Sequence, residues 1–204
     1  MKDETKREIS PLHPGWLERE APASYADEEL KRIVLFYVIY TPCPGASAKG
    51  IPIETYGWDK SVWTQGRLRK QLLSAASLEK HKTFFSVKTT AELKDAFTQA
   101  KMRKGFHRDR SVEKIVFYKG KDNEVLSIFR HIRNALAHGR LAMYACGEDE
   151  KDIIFVLEDG VPGSGNYIVN SRMILKKSTL LKWIDIIKQG PASLETENER
   201  KRKT

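Results

Sequence analysis

Apolar residues recur at helical spacing through most of the chain. They follow candidate N-caps at Asp27 and Thr89, and they return most clearly over 123–138. The same spacing runs more weakly over 61–78, and it appears once more over 179–188. This pattern predicts a mainly α-helical protein.

The spacing changes after the segment 123–138. Two short apolar runs, 141–145 and 153–157, flank a Gly-Glu-Asp-Glu stretch and predict a β-hairpin. A third short strand is expected at 167–169, whereas 112–118 is compatible with either a strand or a helix. The expected architecture is therefore a helical bundle with a small β-hairpin between its longest helix and its last helix.

Proline, glycine and charge divide the chain into three parts. The prolines of 1–25 predict an irregular N-terminal arm, 26–190 is expected to form one domain, and 191–204 is a charged tail. The 204 residues are enough to bury a core without disulfides.

Neither the apolar runs nor the cysteines indicate a membrane or secreted protein. The longest apolar run, 33–40, is far shorter than a membrane span, and the first ten residues alternate in charge where a signal peptide would be apolar. Cys43 and Cys146 are too few for a disulfide framework, and no Cys or His pair has the spacing of zinc ligands. We expect a soluble cytoplasmic protein without a metal or a cofactor.

Basic residues are concentrated in the middle of the sequence. The formal net charge is +9, and residues 60–121 carry 16 Lys and Arg against 5 Asp and Glu, a net charge of +11. The densest stretch is 101–110, called here the basic segment, and it contains Arg103, Lys104 and Arg108. Such a segment favours binding to nucleic acid, because counterions are released. A solvated basic surface kept for solubility explains the charge equally well.

The helix predicted over 123–138 has an unusual polar face. At 100° per residue its large apolar side chains gather on one side, as expected for a helix packed on a core. The opposite side carries four polar residues, Arg130, His131, Asn134 and His138, with Arg133 at its border. No acidic residue follows Glu124 in this helix, so the face favours an anion. Ala135 and Ala137 flank it and are small enough for a second helix to approach.

One short motif on this helix resembles a known family. The run Arg-Asn-Ala-Leu-Ala-His over 133–138 matches the Arg-x4-6-His motif of the HEPN superfamily, in which a polar residue directly follows the arginine. Gly139, expected to end the helix, completes a form of the motif that is common in the superfamily. The hairpin and the closing helix that follow resemble those of plasmid-borne bacterial HEPN families. The resemblance implies a helical bundle that forms a homodimer through the motif helix. Arginine and histidine of both subunits would then meet at one site.

The resemblance also implies a metal-independent endoribonuclease with a toxin, defence or RNA-processing role. The 2′-hydroxyl of RNA attacks the neighbouring phosphate, so the protein supplies only an acid or base and a fixed cation. On this interpretation His138 is the general acid or base, Arg133 holds the phosphate, and Asn134 orients either the histidine or the substrate. Further contacts to RNA are expected from other residues of the helix and the basic segment: Arg130, His131, Arg140, Arg103, Lys104 and Arg108.

Other interpretations stay open. A HEPN module without catalysis would bind nucleotide, RNA or a protein partner, and a DNA-binding regulator would use the basic segment, although no helix-turn-helix spacing supports it. Arg133 and His138 would otherwise only cap the helix carbonyls, which leaves Asn134, Arg130 and His131 unexplained. An antitoxin or a nucleotidyltransferase-type partner is also conceivable. However, Arg140 stands where HEPN toxins silenced by a nucleotidyltransferase usually carry a tyrosine.

Overall fold

A mixed β-sheet of six strands forms the centre of the molecule. The computed structural model describes residues 7–18, 22–24, 26–43, 45–46, 48–59, 66–146 and 152–191. Within them the strands are β1 (Ile9–Ser10), β2 (Phe84–Val87), β3 (Lys114–Tyr118), β4 (Leu141–Cys146), β5 (Asp152–Pro162) and β6 (Tyr167–Lys176). Their order is β2-β3-β6-β5-β4, and β1 pairs with the start of β6. The pair β2 and β3 is parallel, and the other neighbours are antiparallel.

Five α-helices surround the sheet within the described residues. They are α1 (Glu28–Val34), α2 (Arg67–Ala75), α3 (Thr90–Gln99), α4 (Glu124–Ala137) and α5 (Lys177–Gln189). A π-helical segment, Leu35–Tyr40, continues α1, and short 3-10 helices lie at Gly15–Glu18, Ile53–Tyr56 and Phe106–Arg108. None of the described helices is long and apolar enough to cross a membrane.

The helices divide unequally between the two faces of the sheet. Consecutive strand residues alternate between two apolar clusters: Ile115 and Phe117 of β3 belong to one, and Val116 belongs to the other. The first cluster holds the buried side chains of α1, α2, α4 and α5, and the second holds those of α3 and the loop after it. We call these two sides the α4 face and the α3 face.

The prediction of a mainly α-helical bundle is wrong. Helices make up 41% and strands 23% of the structure, and the mixed sheet defines an α/β fold. The predicted hairpin is confirmed, because β4 and β5 pair from Leu141 opposite Leu157 to Cys146 opposite Asp152. It belongs to the central sheet, however, and its neighbour β6 extends far beyond the predicted 167–169.

Strands that lack a clear sequence period explain this error. The end of β6, 173–175, is a continuous apolar run without the alternation that indicates a half-exposed strand. The pattern does not predict β2 at all, because four residues are too few to show a period. The ambiguous segment 112–118 contains strand β3.

The ends of the chain are only partly described. The arm predicted to be irregular over 1–25 contains β1 and a 3-10 turn, so part of it is tied to the sheet. Residues 192–204 of the predicted charged tail and the hairpin turn at 147–151 lie outside the described residues.

Candidate functional site

The end of α4 presents the motif histidine to solvent. Gly139 has a φ of +66°, and its N–H donates to the Leu136 carbonyl, while the Arg140 N–H donates to the Ala135 carbonyl. These two bonds form a Schellman motif, which glycine favours because it lacks a Cβ. His138 is therefore the C-cap residue, and its side chain is exposed.

Arg133 and Asn134 form a polar pair about one turn before His138. The Arg133 guanidinium donates to Asn134 Oδ1 at 3.0 Å, and both residues are half-buried. The Nε of Arg133 is buried and has no hydrogen-bond partner among the described residues. One end of the guanidinium is thus fixed, while one donor is left unsatisfied.

Asn134 is anchored by an acidic residue that the helical pattern does not identify. Oδ2 of Asp159, on β5, lies 3.4 Å from Asn134 Nδ2 and 2.6 Å from Nδ1 of His131. The other ring nitrogen of His131 lies 2.9 Å from the Tyr118 carbonyl oxygen. A continuous polar chain therefore runs from the end of β3 through His131 and Asp159 to Asn134 and Arg133.

The other two polar residues predicted on the outer face of α4 differ in exposure. His131 is only 7% exposed, and its ring packs edge-on against Phe117 at 5.8 Å, so its placement on the outer face is wrong. A contact between His131 and RNA would require α4 to lift from the sheet. Arg130 does remain on the solvent side, where it forms an ion pair with Asp122.

Arg140 is enclosed by the N-terminal arm. Its guanidinium pairs with the Glu158 carboxylate, donates to the Leu12 carbonyl at 2.9 Å and lies 3.7 Å from the centre of the Tyr167 ring. Only 6% of the residue is exposed. A phosphate contact by Arg140 would first have to open these interactions, so the observed geometry gives this residue a structural role.

The buried charges around Arg140 continue to a second arginine. Arg172 donates through Nε to Glu158 at 2.8 Å, and through another guanidinium nitrogen to Glu8 at 3.0 Å and to the Met102 carbonyl at 2.8 Å. The sequence contains one sign of this network. Two carboxylates, Glu158 and Asp159, directly follow the apolar run 153–157. Buried carboxylates in a strand require partners, but the sequence does not say which ones.

The basic segment lies on the α3 face. Its buried anchors, Met102 and Phe106, belong to the apolar cluster of that face. The three residues predicted to contact RNA are exposed there: Arg103, Lys104 and Arg108. Since α4 packs on the opposite face, the sheet separates these three residues from Arg133 and His138 within one protomer.

The cysteines and carboxylates do not form a reactive cluster in the described residues. Burial raises the pKa of Cys43 to about 12, and it also raises the pKa of Cys146. Both thiols are therefore protonated near neutral pH and are weak nucleophiles. No group of three or more His, Cys, Asp or Glu in the described ranges is placed to hold a metal ion.

Comparisons with known proteins return no relative. No protein-family model, curated protein or solved structure matches the chain. The resemblance of 133–138 to the HEPN motif therefore depends on these residues alone.

Proposed function

We propose that the protein is an endoribonuclease that cleaves RNA without a metal ion, at a site formed by the end of α4. The observation that carries this proposal is the arrangement of the motif residues. His138 is exposed at the helix C-cap, and the Arg133 guanidinium is hydrogen-bonded to Asn134. His138 transfers protons, Arg133 offsets the charge that develops on the phosphate, and Asn134 fixes the guanidinium.

The reaction needs no nucleophile from the protein. The RNA 2′-oxygen forms a bond to the adjacent phosphorus while the bond from phosphorus to the 5′-oxygen breaks. A base takes the proton from the 2′-hydroxyl, and an acid returns a proton to the departing 5′-oxygen. The products are a 2′,3′-cyclic phosphate and a 5′-hydroxyl, and the guanidinium stabilises the charged transition state.

A homodimer would complete the site. Positions five apart on a helix differ by about 140° in direction, so the side chains of Arg133 and His138 diverge within one protomer. A two-fold pairing of α4 ends would bring Arg133 to the partner's His138. Ala137 is exposed at this end and leaves room for a second helix, whereas Ala135 is buried in the core and is not available for that role.

A cleavage assay with two histidine variants tests the proposal. Purified wild-type protein, His138→Ala and His13→Ala are each incubated with mixed RNA in EDTA, and the fragment ends are identified. His13 is the matched control, because its side chain is exposed and it lies outside the motif. Loss of the acid or base should lower the cleavage rate of His138→Ala by about 10²–10⁴-fold, while His13→Ala cleaves like the wild type.

The chemistry of the fragment ends and the incubation in EDTA distinguish the proposed function from its alternatives. Cyclic phosphate ends in EDTA agree with the proposal, whereas cleavage by His138→Ala at the wild-type rate contradicts it. Activity that disappears in EDTA contradicts metal independence. Saturable RNA binding by the wild type without any product would instead favour a binding module.

A further inference from the structure

Asp159 is the point at which the polar side of α4 is bonded to the sheet. The residue is 3% exposed, and its Oδ2 lies within hydrogen-bonding distance of both His131 and Asn134. These two residues are three positions apart and therefore lie on the same side of the helix. One carboxylate oxygen thus joins two side chains of α4 to β5.

The ring nitrogens of His131 both face oxygen atoms that accept hydrogen bonds. Nδ1 faces the Asp159 carboxylate, and Nε2 faces the Tyr118 carbonyl. These two contacts hold the ring in place, and the ring in turn holds the Asp159 carboxylate beside Asn134.

The same carboxylate determines the orientation of the Asn134 amide. Asp159 accepts from Nδ2, so the amide oxygen Oδ1 points to the other side, where the Arg133 guanidinium donates to it at 3.0 Å. If the amide were reversed, its NH2 group would face a guanidinium, which has no acceptor. The position of Arg133 therefore depends on a residue that does not contact it.

We infer that Asp159 is a positioning residue for Arg133. It acts through Asn134. His131, which also contacts the Tyr118 carbonyl at the end of β3, holds the Asp159 carboxylate in place. Its expected effect on cleavage rests on the function proposed above. The chain of hydrogen bonds is a separate claim, and it is testable without any reaction.

The kinetic test compares Asp159→Ala with Asp95→Ala, a change at an exposed aspartate of α3. A displaced guanidinium should lower kcat on the order of 100-fold with little change in KM, while Asp95→Ala should match the wild type. Asn134→Asp alone places two carboxylates together, whereas the double variant Asp159→Asn/Asn134→Asp exchanges donor and acceptor and restores the link to Arg133. It should regain at least about tenfold of the kcat that Asn134→Asp loses, which a general loss of stability would not allow.

The structural test uses nitrogen NMR of the Arg133 guanidinium. In the wild type the Arg133 Nε–H should be ordered. In Asp159→Ala the Arg133 side chain should become more mobile. Arg133 order that is unchanged in the variant overturns the inference. If the wild type does not cleave RNA, the proposed function fails and these spectra still decide the inference.

Discussion

Glu158 is fully buried, and its carboxylate lies between the guanidinium groups of Arg140 and Arg172. The two arginines also bind the N-terminal arm, through the Leu12 carbonyl and the Glu8 carboxylate. A buried charge is tolerated only when it is paired and hydrogen-bonded, so each member depends on the others. At the scale of residues, this network fixes the arm against the sheet.

Replacing Glu158 should destabilise the protein more than any exposed charge change. In Glu158→Gln two buried guanidinium groups lose a carboxylate, and the free energy of unfolding should fall by about 3–5 kcal/mol. Urea denaturation of this variant and of Glu28→Gln measures the difference. The Glu28 side chain is 83% exposed, so its replacement should change stability by less than about 0.5 kcal/mol. Equal midpoints for the two variants would contradict the role of the network.

The sequence predicts some residues of the candidate site and misses others for a physical reason. Arg133, Asn134 and His138 are predicted because they lie in one short motif on one helix. Asp159 and Glu158 are not found, since their partners come from other elements and only the folded chain brings them together. His131 is misplaced because a helical wheel assigns polar residues to the outer face of a helix. In the folded chain Asp159 provides His131 with a polar partner inside the molecule.

At the scale of elements, Gly139 decides where α4 ends and therefore where His138 lies. Its φ is +66°, and a Cβ added at this position would meet no atom within 4 Å. A substitution is therefore costly through backbone conformation alone and not through collision. Gly139→Ala should lower the free energy of unfolding by about 1 kcal/mol.

Two further glycine variants make this prediction specific. Gly139→Asn should lose less stability than Gly139→Ala, because asparagine tolerates the left-handed conformation better. Gly15→Ala is the control, since Gly15 has open space but no positive φ, and its stability should stay near that of the wild type. Thermal unfolding compares all three. If Gly139→Ala is as stable as Gly15→Ala, the assigned role of Gly139 is wrong.

Helices were easier to predict than strands because their signals are local. Asp27 accepts the N–H groups of Glu29 and Leu30, and Thr89 forms a capping box with Glu92, so both helix starts are determined within four residues. Strand β2 has no such signal. It is four residues long, and it is stabilised by pairing with β3, about thirty residues away.

At the scale of the whole molecule, the candidate catalytic residues and the predicted RNA contacts of the basic segment lie on two opposite faces of the sheet. Arg133 and His138 belong to the α4 face, and the exposed residues of the basic segment belong to the α3 face. A single strand of RNA that touches both sets would have to pass round an edge of the sheet or reach a second protomer. The basic segment stays a predicted RNA contact, and it lies on the face of the sheet opposite the candidate catalytic residues.

In the proposed homodimer, Arg133 of one protomer and the partner's His138 together form one site. Mixing the inactive variants Arg133→Ala and His138→Ala tests this claim most directly, after the subunits are allowed to exchange. In a two-fold dimer, half of the dimers are then mixed and each mixed dimer keeps one intact site, so about a quarter of the wild-type RNA cleavage should return. A mixture that stays as inactive as either variant alone would contradict the shared site.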